Sequence, residues 1–183
     1  MDKDWSGIRE GQKTMLENAR VLMRQLFDGV VDKGGRPYAE HCERVEQRLP
    51  IWVSEDARCA AILHDVIEDT PTTGSDLIDA GFSFRTVHLV EKLSRRPEDG
   101  TYMEWIKAIA ATGDAELIAI KLSDNLDNSD PARIAALPPE QRDIVRRYER
   151  ARRILEPALI GSGRSLADAH SKPDPHPEPA KEG

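Results

Sequence analysis

Apolar side chains recur every three or four residues along almost the whole chain, a period that fits helices and excludes half-buried strands. Met15, Leu16, Ala19, Leu22, Met23 and Leu26 form one such stripe and predict a helix over 12–27. The alternating, β-branched runs that mark strands are missing, so the expected fold is all-α. Three glycines and a proline interrupt the pattern at 28–37 and predict a loop. Further helices are expected at 38–48, 54–67, 74–80, 84–93, 101–111 and 115–128, with Ser54 capping the second ahead of Glu55 and Asp56. Pro138 and Pro139 are read as the start of a last long helix ending near 159. The chain of 183 residues has the size of one domain, expected over 1–160. From 161 to 183 the composition shifts to Gly, Ser, Asp and Pro, with a proline at every second position from 173 to 179, and predicts a disordered tail.

Charge narrows the function classes. There are 33 acidic against 26 basic side chains, a net charge of −7, and such a surface repels nucleic-acid backbones. A site for a polyanion must therefore be local. No apolar run reaches the 18 or so residues of a membrane span, and the first residues begin no signal-peptide pattern. The expectation is a cytoplasmic protein without membrane or nucleic-acid partners. Cys42 and Cys59 lack the spacing of a redox or zinc motif and are read as half-buried thiols.

Chemistry concentrates in three segments. In the first, Ala60-Ala61-Ile62-Leu63-His64-Asp65-Val66-Ile67-Glu68-Asp69, four ionisable groups end an apolar helix. Burying them costs several kcal/mol unless a counter-ion or metal compensates. Helical spacing puts His64 and Glu68 on one face, with Asp65 and Asp69 a residue further round. In the second, Glu116 to Asn128, the stripe Ile118, Leu122 and Leu126 is apolar, whereas Lys121, Asp124 and Asn128 form a polar edge aimed at a site or at solvent. The third is His41, which follows the turn Gly34-Gly35-Arg36-Pro37-Tyr38. Two imidazoles and two carboxylates make a mixed nitrogen and oxygen set suited to one divalent first-row ion with open positions.

The ordered pattern of His41, His64-Asp65 and Asp124 resembles the HD-domain metal-dependent phosphohydrolases, helical bundles in fold. The match is closer to the alarmone hydrolase domains of the RelA/SpoT homologues, especially the free-standing small alarmone hydrolases. Gly35 to His41, Ala61 to Thr70 with its HDxxEDT, and Lys121 to Asn128 with its KLxDxLxN carry the resemblance, which covers about residues 10–160. It implies one manganese ion, Mn²⁺, held by His41, His64, Asp65 and Asp124. It also implies attack of water on the 3′-pyrophosphate of guanosine tetra- or pentaphosphate. Glu68 and Asp69 match the family's acidic pair, with Glu68 acting on the water and Asp69 supporting it or handling the proton at the leaving oxygen. By the same resemblance Lys33 and Tyr38 approach the base, Asn128 the ribose or a phosphate, and Tyr148 the 5′ side. Lys121, Arg95 and Arg96 are further candidates for the polyphosphate. Ordinary roles stay open: a solvated cation for Lys33, core rims for Tyr38 and Tyr148, and a helix cap for Asn128.

Three positions depart from the family pattern. Asp32 precedes Lys33 where a basic residue is usual, Asn125 stands where many members carry a basic residue, and Asp127 replaces an aromatic or histidine. All three are expected to remove positive charge near a polyphosphate. Two other readings remain: a hydrolase of another nucleotide, such as NADPH or a nucleoside monophosphate, and a non-catalytic nucleotide binder. Glu68 and Asp69 argue against the binder, which needs no water-activating pair.

Overall fold

The computed structural model describes residues 14–32 and 34–167. Its first helix, α1 (Met15–Leu26), is opened by a capping box in which Thr14 and Glu17 satisfy each other's backbone amides. The following helices are α2 (Tyr38–Gln47), α3 (Glu55–Leu63), α4 (Val66–Asp69), α5 (Gly74–Asp79), α6 (Phe84–Leu93), α7 (Tyr102–Ala111), α8 (Ala115–Asn128), α9 (Pro131–Ala136) and α10 (Val145–Gly161). Short 3₁₀ turns fill Pro97–Asp99 and Pro139–Ile144. Among the described residues there is no strand, only one isolated antiparallel bridge between Val31 and Pro37.

The centre of the bundle is α3, whose small residues Ala57, Ala60 and Ala61 are fully buried and let neighbours approach closely. Helices α1, α2, α6 and α8 all pack on it. Helix α8 is nearly as buried, and α2, α7 and α10 close over its other sides. The two central helices run side by side in one direction. At their N-terminal ends the Ser54 amide donates to Glu116 Oε1 at 2.8 Å, and eight to ten residues later His64 Nε2 lies 3.7 Å from Asp124 Oδ1. Buried Glu46 ties three helices together by accepting from Arg20 of α1 at 2.9 Å and Arg58 of α3 at 2.8 Å.

Two helix boundaries differ from the sequence expectation. The helix predicted over 54–67 breaks at His64 and Asp65, and Asp65 takes turn-like angles of φ −99° and ψ −2°. The cause is local: His64 Nδ1 bonds the Ala61 carbonyl at 2.8 Å, the acceptor that a continuous helix would give to the Asp65 amide. The last long helix begins at Val145, not at Pro138. Residues 139–144 form a 3₁₀ turn instead, and Arg142 folds back to donate to Leu137 O at 3.0 Å and Ala135 O at 3.1 Å. The freed stretch before the prolines forms α9, with Pro131 in its first turn and Asp130 as its cap.

The segment 162–167, assigned to the tail by composition, lies against the bundle. Trp52 Nε1 donates to Ser165 O at 3.1 Å, the Arg164 guanidinium sits 5.1 Å from the Trp52 ring, and Leu166 packs on the core. The proline-alternating stretch of the predicted tail lies outside the described residues.

Candidate active site

The break after α3 turns His64 inward. Its ring is buried, and with Nδ1 donating to Ala61 O the other nitrogen, Nε2, is left as an acceptor. That nitrogen makes no hydrogen bond, although Asp65 Oδ2 lies 2.9 Å away. From α2, His41 is held in the same way: Nδ1 is 2.8 Å from Asp127 Oδ2, and Nε2 points to Asp124 Oδ1 at 3.3 Å. Ligand atoms of His41, His64 and Asp124 all lie within 4.8 Å of one another. Asp65 Oδ2 is 3.9 Å from His41 Nε2 and accepts a short hydrogen bond from the Tyr38 hydroxyl.

Electrostatics show what this cluster lacks. Burial by itself would lower the His64 pKa, yet Asp65 and Asp124 outweigh it and push the imidazole up to about 10. Asp124 is held well below the usual carboxylate range despite burial, because Lys121 and both histidines face it. A buried nitrogen without a hydrogen bond stands beside two carboxylates, and the donors fit a divalent metal: two imidazole nitrogens and carboxylate oxygens converging on one point. His41, His64 and Asp124 could hold it, with Asp65 beside them.

Above this cluster opens a cavity of about 420 Å³. Glu68 and Asp69 stand on its rim at the end of α4, one turn beyond the cluster. Glu68 Oε2 accepts from the Arg95 amide at 2.8 Å, which orients the carboxylate. Partial burial raises the pKa of both acids, with Asp65 adding repulsion at each.

Tyr38, Asn128, Tyr148 and Lys121 also line the cavity. Three of them are partly committed elsewhere. The Tyr38 hydroxyl is bound to Asp65, and Lys121 Nζ sits 2.7 Å from Asp124 Oδ2 and 4.2 Å from the centre of the Trp105 ring. Asn128 donates to Asp124 Oδ1 at 2.5 Å, so the polar edge of α8 read from sequence is one hydrogen-bonded row. Burial pushes the Tyr148 hydroxyl up to about 12. Arg95 lines the cavity, whereas Arg96 faces away, 4.0 Å from Glu91. Lys33 lies outside the described residues.

For two of the three departures from the family pattern, Asn125 and Asp127, the expected place near a polyphosphate needs correction. Asp127 does not face the cavity: its side chain is fully buried beneath α2, against His41, Arg44, Arg48 and Arg133. Asn125 is also buried and donates to the Tyr102 hydroxyl at 3.3 Å. Only Asp32 reaches the wall, and there it organises its loop by accepting from the Gly34 and Arg36 amides at 2.8 and 3.0 Å. Its other oxygen is 3.5 Å from Arg133. Three lining cations were not among the candidates: Arg36, Arg133 and Arg147. Arg36 stands within the turn Gly34-Gly35-Arg36-Pro37-Tyr38 and Arg147 beside Tyr148, so adjacency to candidate residues is the signal the sequence offers for them.

Comparisons with known proteins agree with this geometry. A family model described as an HD domain matches residues 19–150. The chain is 30% identical over 153 residues to the bifunctional (p)ppGpp synthase/hydrolase SpoT of Escherichia coli (strain K12), covering 76% of this chain and 21% of that protein. It is 31% identical over 153 residues to the guanosine-3′,5′-bis(diphosphate) 3′-pyrophosphohydrolase of Vibrio cholerae, with the same coverages of 76% and 21%. A relative of the same name from Aquifex aeolicus (strain VF5) is 36% identical over 104 residues, covering 52% and 14%. The chain thus spans at most about a fifth of the length of these relatives. A solved structure titled as a metazoan ortholog of SpoT that hydrolyzes ppGpp superposes with a TM-score of 0.65 at 20% identity, covering 83% of this chain and 95% of that one, and so shares the fold.

Proposed function

The chain belongs to the HD-domain family, and from that premise we propose that it hydrolyses the 3′-pyrophosphate of guanosine tetra- or pentaphosphate. The reaction breaks the bond between the ribose 3′ oxygen and its phosphorus, so tetraphosphate gives GDP and pyrophosphate. The observation that carries the reading is the convergence of buried His41 and His64 with Asp124, which lines a cavity that also holds two acids of raised pKa. The relatives named above support the substrate class, since their names state hydrolysis of this nucleotide.

In this reading His41, His64, Asp65 and Asp124 hold a manganese ion, which suits a mixed imidazole and carboxylate set. When bound, the ion supplies a water of lowered pKa and neutralises charge at the attacked phosphorus. Tyr38 keeps Asp65 oriented, and Lys121 with Asn128 keeps Asp124 oriented. Glu68, fixed by the Arg95 amide, takes the proton of the attacking water, and Asp69 handles the proton that the leaving 3′ oxygen gains. Arg36, Arg95 and Arg147 answer the charge of the polyphosphate, Lys33 and Tyr38 flank the base, Asn128 holds the sugar, and Tyr148 borders the 5′ side. The enzyme works on a small-molecule nucleotide in the cytoplasm.

The test is product analysis. Metal-loaded protein is incubated separately with guanosine tetra- and pentaphosphate, NADPH and nucleoside monophosphates, and products are separated by ion-exchange chromatography. The reading expects GDP with pyrophosphate from the tetraphosphate. Single phosphates from NADPH or monophosphates, with the alarmones untouched, would replace the substrate while keeping the metal site.

A further inference from the structure

Asp127 is the most heavily bonded carboxylate among the described residues that the proposed reaction does not use. Its side chain is fully buried. Oδ2 lies 2.8 Å from His41 Nδ1 and 2.8 Å from Arg133 Nη1, while Oδ1 lies 2.8 Å from Arg44 Nε and 3.5 Å from Arg48 Nη2. Each of these arginines has a second, more exposed acid within 4 Å: Glu40 for Arg44, Asp130 for Arg48, and Asp32 for Arg133. The cluster is therefore a network of three guanidiniums and four carboxylates whose centre is one buried acceptor.

The chemistry of that acceptor follows from its partners. A carboxylate ringed by guanidinium donors stays ionised and can only accept, so the His41 nitrogen facing it must carry the proton. In the neutral ring, the form that ligates a metal, the lone pair is then on Nε2, the nitrogen that lies 3.3 Å from Asp124 and faces His64. His64 reaches the same state through a backbone carbonyl, with no charged group behind it. Arg133 extends the network to the cavity wall, where Nη2 is 3.3 Å from Asn128 Oδ1.

We infer that Asp127 is a positioning residue for metal binding, which fixes the tautomer and orientation of His41 and, through Arg133, joins that ligand to the cavity wall. This rests on the assignment of His41 as a metal ligand. A partner behind a ligating histidine typically accounts for 10- to 100-fold in metal affinity.

The experiment is a double-mutant cycle on full-length protein, reading Zn²⁺ affinity by competition with a chromophoric chelator and checking helix content by circular dichroism. Asp127→Asn is expected to weaken binding about 10- to 100-fold in the wild-type background and by less than about twofold in a His41→Ala background. Equal losses in both backgrounds, or none in either, would overturn the inference. If His41→Ala alone leaves affinity unchanged, the ligand assignment itself falls, which separates that failure from this one. Should Asp127→Asn not fold, nitrogen-15 spectra of the unmutated Zn²⁺-loaded protein decide. A protonated Nδ1 and unprotonated Nε2 on His41 are expected, and the opposite tautomer overturns the proposal.

Discussion

The two ends of the central helix pair carry similar residues and behave in opposite ways. At the N-terminal end, Asp114 and Glu116 of α8 meet Arg85 of α6 at 2.6 to 2.8 Å, and Glu116 also accepts the Ser54 amide of α3. Asp114, Glu116 and Arg85 are thus partnered with one another, and both acids are held below their usual range by Arg85 and backbone amides despite partial burial. At the C-terminal end, His64, Asp65 and Asp124 leave a buried imidazole nitrogen without a hydrogen bond beside two carboxylates. One end is closed electrostatically and clamps the helices. The other is open and calls for a cation. Charged residues on a buried helix thus signify stability or chemistry according to whether their partners come from the protein.

The sharpest break in this comparison is Asp124→Ala. It should abolish stoichiometric metal and lower turnover by on the order of a thousandfold or more, since a metal contributes several kcal/mol of transition-state stabilisation. Metal analysis beside steady-state kinetics checks this. Retention of metal with normal turnover would refute the open-end account.

Glu68→Gln should separate the water from the ion. Turnover should fall on the order of 100- to 10,000-fold while metal content stays stoichiometric. A parallel loss of metal would make Glu68 a ligand instead.

Arg147→Ala probes the wall. Arg147 lies 5.5 Å from the Tyr102 ring and has no ion-pair partner among the described residues. If it meets substrate equally in ground and transition states, KM should rise roughly 10- to 100-fold with kcat unchanged. A fall in kcat at constant KM would assign it to the transition state.

The smallest effect belongs to the closed end. Because the folded-state pKa values of Asp114 and Glu116 are depressed, their contribution is present above the ordinary carboxylate range and is lost as pH falls through it. Asp114→Asn keeps a capping side chain for α8, so its cost should be ionic: a Tm about 2–4 °C lower at neutral pH, a difference that shrinks in acid. Melting curves across pH check the sign. A difference that grows on acidification would contradict it, and metal content should not move.

Legibility in the sequence follows the same division. The floor was readable because His64 and Asp65 are adjacent, and because Asp124 shares a helical edge with Lys121 and Asn128. The bundle was readable because a 3.6-residue period survives in α1, α2, α6 and α7. The break at His64 was not, since it depends on a side chain taking the Ala61 carbonyl from the backbone. Asp127 was misread for a related reason. Spacing of three from Asp124 puts both on neighbouring faces of α8, and only the placement of Arg44 and Arg48 on α2 determines that Asp127 is covered. Of the arginines of the wall, Arg147 stands in the helix that starts at Val145 and not at Pro138, and Arg133 in α9, which the apolar period does not mark, so the facing of these two is not legible in the sequence.

The account stands most directly on where the ion sits. A crystal of the manganese-loaded protein, with data collected for anomalous scattering from the metal, locates it independently of activity. We predict one peak per chain, about 2.0–2.3 Å from His41 Nε2, His64 Nε2 and carboxylate oxygens of Asp65 and Asp124. A stoichiometric ion bound elsewhere, or a cluster that stays without density at saturating manganese, would contradict it.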